Sequence, residues 1–179
     1  MLVSDLLKLH LAGSPFEDNY HDKVVHLYAG PYLIPVPNSK VRQKALPYHD
    51  LHHLFTGYSN SRIGEGEVGA WELGSGCWNN PIALFLNLGG VSTGLLYSPK
   101  RICRAFIWGC HSQNLYDLAL EDILSSEEKV LTDYVFHKQI KGRSSIVNHL
   151  RFATYGAIAA LAIPPLLLFG WGVSIFNKS

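Results

Sequence analysis

The chain has 179 residues, with 15 Lys and Arg against 14 Asp and Glu, and a formal net charge of +1. That length suffices for one domain with a real core, and the balanced charge excludes a broad electrostatic surface for nucleic acid. Charged residues make up 16% of the chain, below the ~25% of an ordinary soluble domain, and aromatics reach 12%, a combination that favours contact with lipid or an apolar ligand. Cys77, Cys103 and Cys110 are an odd set without C-x-x-C spacing. Neither a disulfide framework nor a thiolate zinc site follows from them, and they read as buried thiols in a reducing compartment.

Residues 1 to 12 read as a short amphipathic helix. Their acidic Asp5 and missing basic start make them a poor signal or transit peptide. Residues 13 to 46 read as irregular. Within them Tyr32-Leu33-Ile34-Pro35-Val36-Pro37 must be extended, because prolines this close forbid a regular helix. Lys40, Arg42 and Lys44 form a small basic cluster.

Pro47-Tyr48-His49-Asp50-Leu51-His52-His53 follows, and Glu65 lies beyond it. Pro47 suits a first turn and Gly57 a helix end, which predicts a helix of about ten residues. His49 and His53, four apart, then share one face, and Asp50 sits beside it. His52 points elsewhere and is expected at the surface or behind the ligands. Glu65 comes from the next helix, residues 62 to 74, across the loop Tyr58-Ser59-Asn60-Ser61. Gly64, Gly66 and Gly69 weaken that helix but permit close approach of another backbone. Imidazole and carboxylate offer lone pairs at neutral pH, so His49, Asp50, His53 and Glu65 are candidate ligands of a divalent metal. Zn²⁺ is the first choice, with Fe²⁺ and Mn²⁺ as alternatives.

Asn79-Asn80-Pro81 reads as a cap and first turn. Ile82 to Leu88 is almost wholly apolar, and Gly89-Gly90 and Gly94 should break or thin the pattern. Pro99 starts another helix. Ser125 with Glu128 offers a capping box for a helix from Ser126 to about Gln139. Few stretches alternate at period two, so the fold class is all-α. Phe152 to Phe176 contains no charged residue, and is longer than the roughly 20 residues needed to cross a bilayer. Tyr155 and Trp171 suit its interfaces, and Pro164-Pro165 would kink it. Lys138, Lys141, Arg143 and Arg151 precede the span and only Lys178 follows it, which puts the bulk of the protein on the cytoplasmic or matrix side. The expected organisation is a compact helical metal-binding domain over 1–145 and a C-terminal membrane anchor over 146–179.

H-D-x-x-H, then eleven residues, then Glu, resembles the signature of the ubiquinone-biosynthesis Coq-four family. Leu54-Phe55-Thr56-Gly57, Ile63-Gly64-Glu65, Trp71 and Glu72 are similar to that family's surroundings of the motif. The match covers residues 46 to 76, with a looser similarity over 81 to 97 and 108 to 124. The chain looks like a short, divergent member. The resemblance implies a metal held by His49, Asp50, His53 and Glu65, and oxidative decarboxylation and hydroxylation of the ring of a polyprenylated quinone precursor. It implies other ubiquinone-biosynthesis proteins and membrane lipid as partners, no nucleic acid, and a homo-oligomer as an open state. The place implied is the inner membrane, on its cytoplasmic face in bacteria or its matrix face in mitochondria. The segment Ile82 to Leu96 would line a channel for the polyprenyl tail. Two alternatives stand beside this one. A non-catalytic polyprenyl-lipid-binding scaffold would use the same apolar segments. An HD-type phosphohydrolase would draw on His21, His49, Asp50 and Asp117. The H-x-x-H-H spelling of membrane desaturases also fits His49 to His53, but one box and one span fall short of what those enzymes need.

Overall fold

The computed structural model describes residues 1–12, 22–137, 146–165 and 167–168. The described chain runs α1 (Val3–Leu11), β1 (Val24–Ala29), β2 (Tyr32–Pro37), α2 (Lys40–Thr56), α3 (Arg62–Ser75), α4 (Pro81–Tyr97), α5 (Pro99–Gly109), α6 (Leu120–Ser125), α7 (Glu128–Phe136) and α8 (Ile146–Leu161). It is a helical protein with one small antiparallel hairpin, in which Val25 pairs with Val36 and Ala29 with Tyr32. The prolines that forbid helix at Tyr32–Pro37 leave that segment extended, and β1 supplies its partner. Pro35 and Pro37 are tolerated because a two-stranded hairpin has only edges.

α3 is the centre of the fold. Ten of its residues are buried, among them Gly64, Gly66, Gly69 and Gly74. At Gly66 an added Cβ would lie 2.9 Å from Gly94 Cα of α4. The two backbones touch there, which is what the glycines are for, at the cost of helix propensity. This contact also closes the space between α3 and α4 at that level. The glycines of α4 do not break it: the helix is continuous from Pro81 to Tyr97, capped by the Asn80 side chain on Ala83 N–H at 3.2 Å.

Two apolar clusters flank α3. One joins Ala70 and Leu73 to Val91, Ile102, Ala105 and Phe106, with Tyr155 and Ala159 of α8. The other joins Trp71 to Leu51 of α2, Val3 and Leu7 of α1, and Leu115, Ile123, Leu131 and Val135. Among the described residues Trp71 and Phe106 are the largest fully buried side chains.

Several boundaries differ from expectation. α2 begins at Lys40 rather than Pro47, because Ser39 Oγ accepts the Arg42 N–H at 3.2 Å and caps an earlier start. Pro47 therefore sits inside the helix, where it leaves one carbonyl of the preceding turn without its amide. The Ser125–Glu128 capping box does not form. The hydroxyls of Ser125 and Ser126 bond back to the Asp122 carbonyl at 3.2 and 2.7 Å, α6 ends at Ser125, and α7 starts at Glu128 without a side-chain cap. That helix ends at Phe136; Lys138 and Gln139 lie outside the described residues.

Among the described residues one helical stretch, Ile146–Pro165, is long and apolar enough to cross a membrane. Its helix begins six residues before the expected Phe152. Tyr155 and Ala159 pack into the core, and Ser92 Oγ donates to the Ala159 carbonyl at 2.7 Å. Its outward face exposes Ile158, Leu161 and Leu168 and has no charged side chain from Ala153 to Pro165. Lys138, Lys141, Arg143, Trp171 and Lys178, on which orientation and the far interface depend, lie outside the described residues.

Candidate metal centre

α2 and α3 are joined by a tight loop bounded by two sequence signals. Gly57 ends α2 in the left-handed conformation at φ 72°, and Ser61 caps α3 through its hydroxyl on Gly64 N–H at 3.2 Å. A Cβ on Gly64 would lie 1.8 Å from the Ser59 carbonyl oxygen, so only glycine lets this loop fold onto α3. The short return brings the first turn of α3, with Glu65, against the last two turns of α2, with His49 and His53. Glu72, seven residues after Glu65, is on the same face of α3.

His49 Nε2 and His53 Nε2 are 3.3 Å apart; Glu65 Oε2 lies 3.3 Å from the first, and Glu65 Oε1 3.4 Å from the second. These three side chains form the group among the described residues able to hold a metal ion. Four ligands around a tetrahedral Zn²⁺, at bonds of ~2.0–2.1 Å, are also about 3.3 Å from one another. His53 is buried, whereas the His49 and Glu65 side chains are 21% and 29% exposed, so the site is open on one side.

The surrounding hydrogen bonds decide the tautomers. His53 Nδ1–H donates to the Tyr58 carbonyl at 2.9 Å, which must accept. His49 Nδ1–H donates to Glu72 Oε1 at 2.9 Å. Both rings in neutral form thus direct a bare Nε2 lone pair at the same point, beside an anionic Glu65. Two lone pairs and a carboxylate at such distances need a cation among them. A metal ion is one; a proton is the other. Without metal the proton belongs to His49: burial opposes its charge, but Glu72 and then Glu65 outweigh it and raise its pKa well above the usual imidazole range. Burial likewise opposes the charge of Glu65, yet the hydrogen bonds and charges of His49 and His53 hold it below the ordinary carboxylate range. Three donors of N, N and O type with an open position are the composition of a catalytic Zn²⁺ or a non-haem Fe²⁺ site.

Behind the ligands is a polar cluster centred on Glu72 and His52, both fully buried, with Asn87 buried and Tyr116 partly buried beside them. Glu72 accepts from His49 and His52 on Oε1, and from Asn87 Nδ2 and the Tyr116 hydroxyl on Oε2, the latter two at 2.6 Å. Burial penalises its charge, but His49 and His52 outweigh this and keep it ionised well below the usual range. His52 Nδ1–H donates to Glu72 at 2.8 Å, and its Nε2 accepts the Leu115 N–H at 3.0 Å. Burial lowers its pKa, so it is neutral.

His49, His53 and Glu65 therefore come together as the spacing predicts. Asp50 is outside that group. It follows His49 by one residue, about 100° round the helix, and its charge acts on His10 and Arg42, raising the pKa of each against the larger lowering by burial. Asp117 is exposed in the loop before α6 and belongs to no ligand group; His21 lies outside the described residues. His52 is behind the ligands, not at the surface. Glu72 was visible only as an acid at a familiar spacing, and Asn87 and Tyr116 gave no local signal: they reach the site through α4 and the loop after α5. Comparisons with protein-family models, with curated proteins and with solved structures found no match to the chain.

Proposed function

We propose that the protein binds one divalent metal through His49, His53 and Glu65 and acts on the head group of a polyprenylated quinone precursor at a membrane. The observation that carries the metal is the convergence of two Nε2 lone pairs and a carboxylate at 3.3 to 3.4 Å, each imidazole fixed by an acceptor on its other nitrogen. Zn²⁺ suits the three donors best, and Fe²⁺ or Mn²⁺ is the alternative where the chemistry is oxidative. Bound there, such an ion supplies Lewis acidity towards a phenolate or carboxylate oxygen.

The substrate class rests on the resemblance of residues 46 to 76 to the Coq-four family. The reaction proposed breaks the bond between the ring and its carboxylate with release of CO2 and puts a hydroxyl in its place, the oxygen coming from an external peroxide or from O2 with an external two-electron reductant. His49 and Glu65, the partly exposed ligands, face the incoming head group. His53 anchors the ion from the buried side. Arg42 is buried two turns before His49 on the same side of α2, and its Nε has no hydrogen-bond partner. Its Nη1 donates to Asn38 Oδ1 at 3.0 Å, and its positive charge would favour an anionic head group from there. The uncharged outer face of α8 supports a seat at the bilayer on the inner membrane, with partners drawn from the same biosynthesis.

A second reading keeps the metal and lipid but not the chemistry: a scaffold that holds polyprenyl lipid and its enzymes together. The exposed apolar side chains Phe85 on α4 and Ile158 and Leu161 on α8 favour it. The phosphohydrolase reading has less support, because the grouped ligands His53 and Glu65 are those it leaves without a role, and Asp117 is not among them. Metal analysis of protein purified from membranes, with mass spectrometry of co-purified lipid, tests the proposal. Metal with a prenylated aromatic acid supports it, metal with lipid but no turnover of a prenylated hydroxybenzoate supports the scaffold, and absence of metal contradicts both.

A further inference from the structure

We infer that Glu72 is a positioning residue for the metal: a buried carboxylate, saturated by four donors, that fixes the tautomer and ring angle of His49. This rests on the metal reading above and adds a part the ligand motif does not contain.

The case begins with what Glu72 cannot do. All four of its short contacts are donors: His49 and His52 on one oxygen, Asn87 and Tyr116 on the other. A carboxylate offers about four lone-pair directions, so none is left for an ion. Its side chain has 0% exposure, so it does not meet substrate. An ionised group in such a place is costly unless fully bonded, and here it is. The arrangement is therefore a rigid frame, not a ligand or an acid.

What the frame does follows from its one link to the centre. Of the three ligands only His49 touches Glu72, at 2.9 Å through Nδ1. That bond places the proton on Nδ1 and leaves Nε2 for the metal. It also turns the ring, since His49 Nδ1 must meet an oxygen already held by His52. His52 is in turn held by the Leu115 amide, and Tyr116 follows in the same loop. The loop after α5 thereby orients a ligand on α2 without contacting the metal. His53 has a different and simpler anchor, the Tyr58 carbonyl. Outer partners of this kind typically change metal affinity 10- to 100-fold when lost.

The test uses the full chain and Zn²⁺ competed against a chromophoric chelator, together with the visible spectrum of the Co²⁺-loaded protein. Glu72→Gln keeps the shape but turns a donor towards Asn87 and Tyr116. It should bind Zn²⁺ about 10- to 100-fold more weakly and shift the Co²⁺ bands. Tyr116→Phe removes one of the four donors; it should weaken binding on the order of threefold or more, in the same direction. Glu67→Gln, on the same helix but paired with Arg101, should leave affinity and spectrum unchanged. Folded Glu72→Gln with wild-type affinity and spectrum overturns the inference while the metal reading stands. If Glu72→Gln fails to fold, an unchanged affinity and spectrum in Tyr116→Phe overturns it instead. Wild-type protein that binds neither ion overturns the metal reading itself, and the inference with it.

Discussion

Gly64→Ala is a small change with a large expected consequence. The added methyl would stand 1.8 Å from the Ser59 oxygen and 2.7 Å from the Ser59 carbonyl carbon, where ordinary contact begins at 3.4 Å. Either the loop or the first turn of α3 must shift by roughly 1.5 Å to restore normal separation. Overpacking of this kind costs about 1–3 kcal/mol, and the gain in helix propensity returns about 1 kcal/mol. Because the atoms met are backbone, the cost falls at the top of that range or above it, and the net loss of stability is about 2 kcal/mol or more. Loss of metal should accompany it. The neighbour of Ser59 is Tyr58, whose carbonyl holds His53 Nδ1–H at 2.9 Å, and α3 carries Glu65 in the turn that must move. Losing an outer partner of a ligand costs about 10- to 100-fold in affinity. Thermal unfolding and Zn²⁺ competition, measured together, read both effects. Gly89→Ala is the matched control, since a Cβ there meets nothing within 4 Å; it should stabilise α4 by up to about 1 kcal/mol and leave metal binding alone. A Gly64→Ala protein with unchanged Zn²⁺ affinity would refute the link from loop to ligand.

Stability should depend on pH in opposite senses with and without metal. In the metal-free protein the raised pKa of His49 contributes stability that is complete below about pH 6.5 and lost as pH rises through the folded value. His52, with a lowered pKa, acts the other way but is neutral in both states above about pH 7.5. Chemical denaturation above that pH should thus show the apo protein weakening, whereas Zn²⁺-loaded protein holds or gains, because metal competes with protons for the same nitrogens. Parallel profiles would contradict the assignment. Phe106→Ala, at the meeting of α5 with Phe152 and Tyr155, should cost about 3–5 kcal/mol by thermal melt with little change in metal affinity per folded molecule. Deleting residues 150 to 179 should release protein from membranes in a flotation assay while retaining the metal group on α2 and α3, but with lower stability, because Tyr155 and Ala159 leave the core. Continued membrane association of that truncated chain would rule out α8 as the attachment.

The candidate ligand pair was legible because its geometry is local. His49 and His53 are one helical turn apart, and Gly57, Ser61 and Gly64 mark the return that brings Glu65 across. The all-helical class and the apolar C-terminal helix were legible for a similar reason, through periodicity and uninterrupted hydropathy. The earlier start of α2 was less so: a proline at position 47 reads as a beginning, and only the Ser39 cap on Arg42 shows that the helix was already under way. The hairpin was half visible, since prolines dictate extended chain but do not name a partner strand. The glycines of α4 read as breaks, yet they are contacts, because their value depends on α3 lying against them. Glu72 could be noticed but not understood. Its meaning comes from His52, Asn87 and Tyr116, which approach from three separate elements and share no spacing with it.

The most direct measurement is the metal content of the purified full chain by elemental analysis, alongside His53→Ala, Glu65→Ala and Asp117→Ala. The expected result is about one divalent ion per wild-type chain, a near-complete loss in the first two variants at matched folding, and no change in Asp117→Ala. Full occupancy in His53→Ala and Glu65→Ala, or a wild-type chain that takes up no divalent ion when Zn²⁺, Fe²⁺ and Mn²⁺ are supplied, would contradict the account.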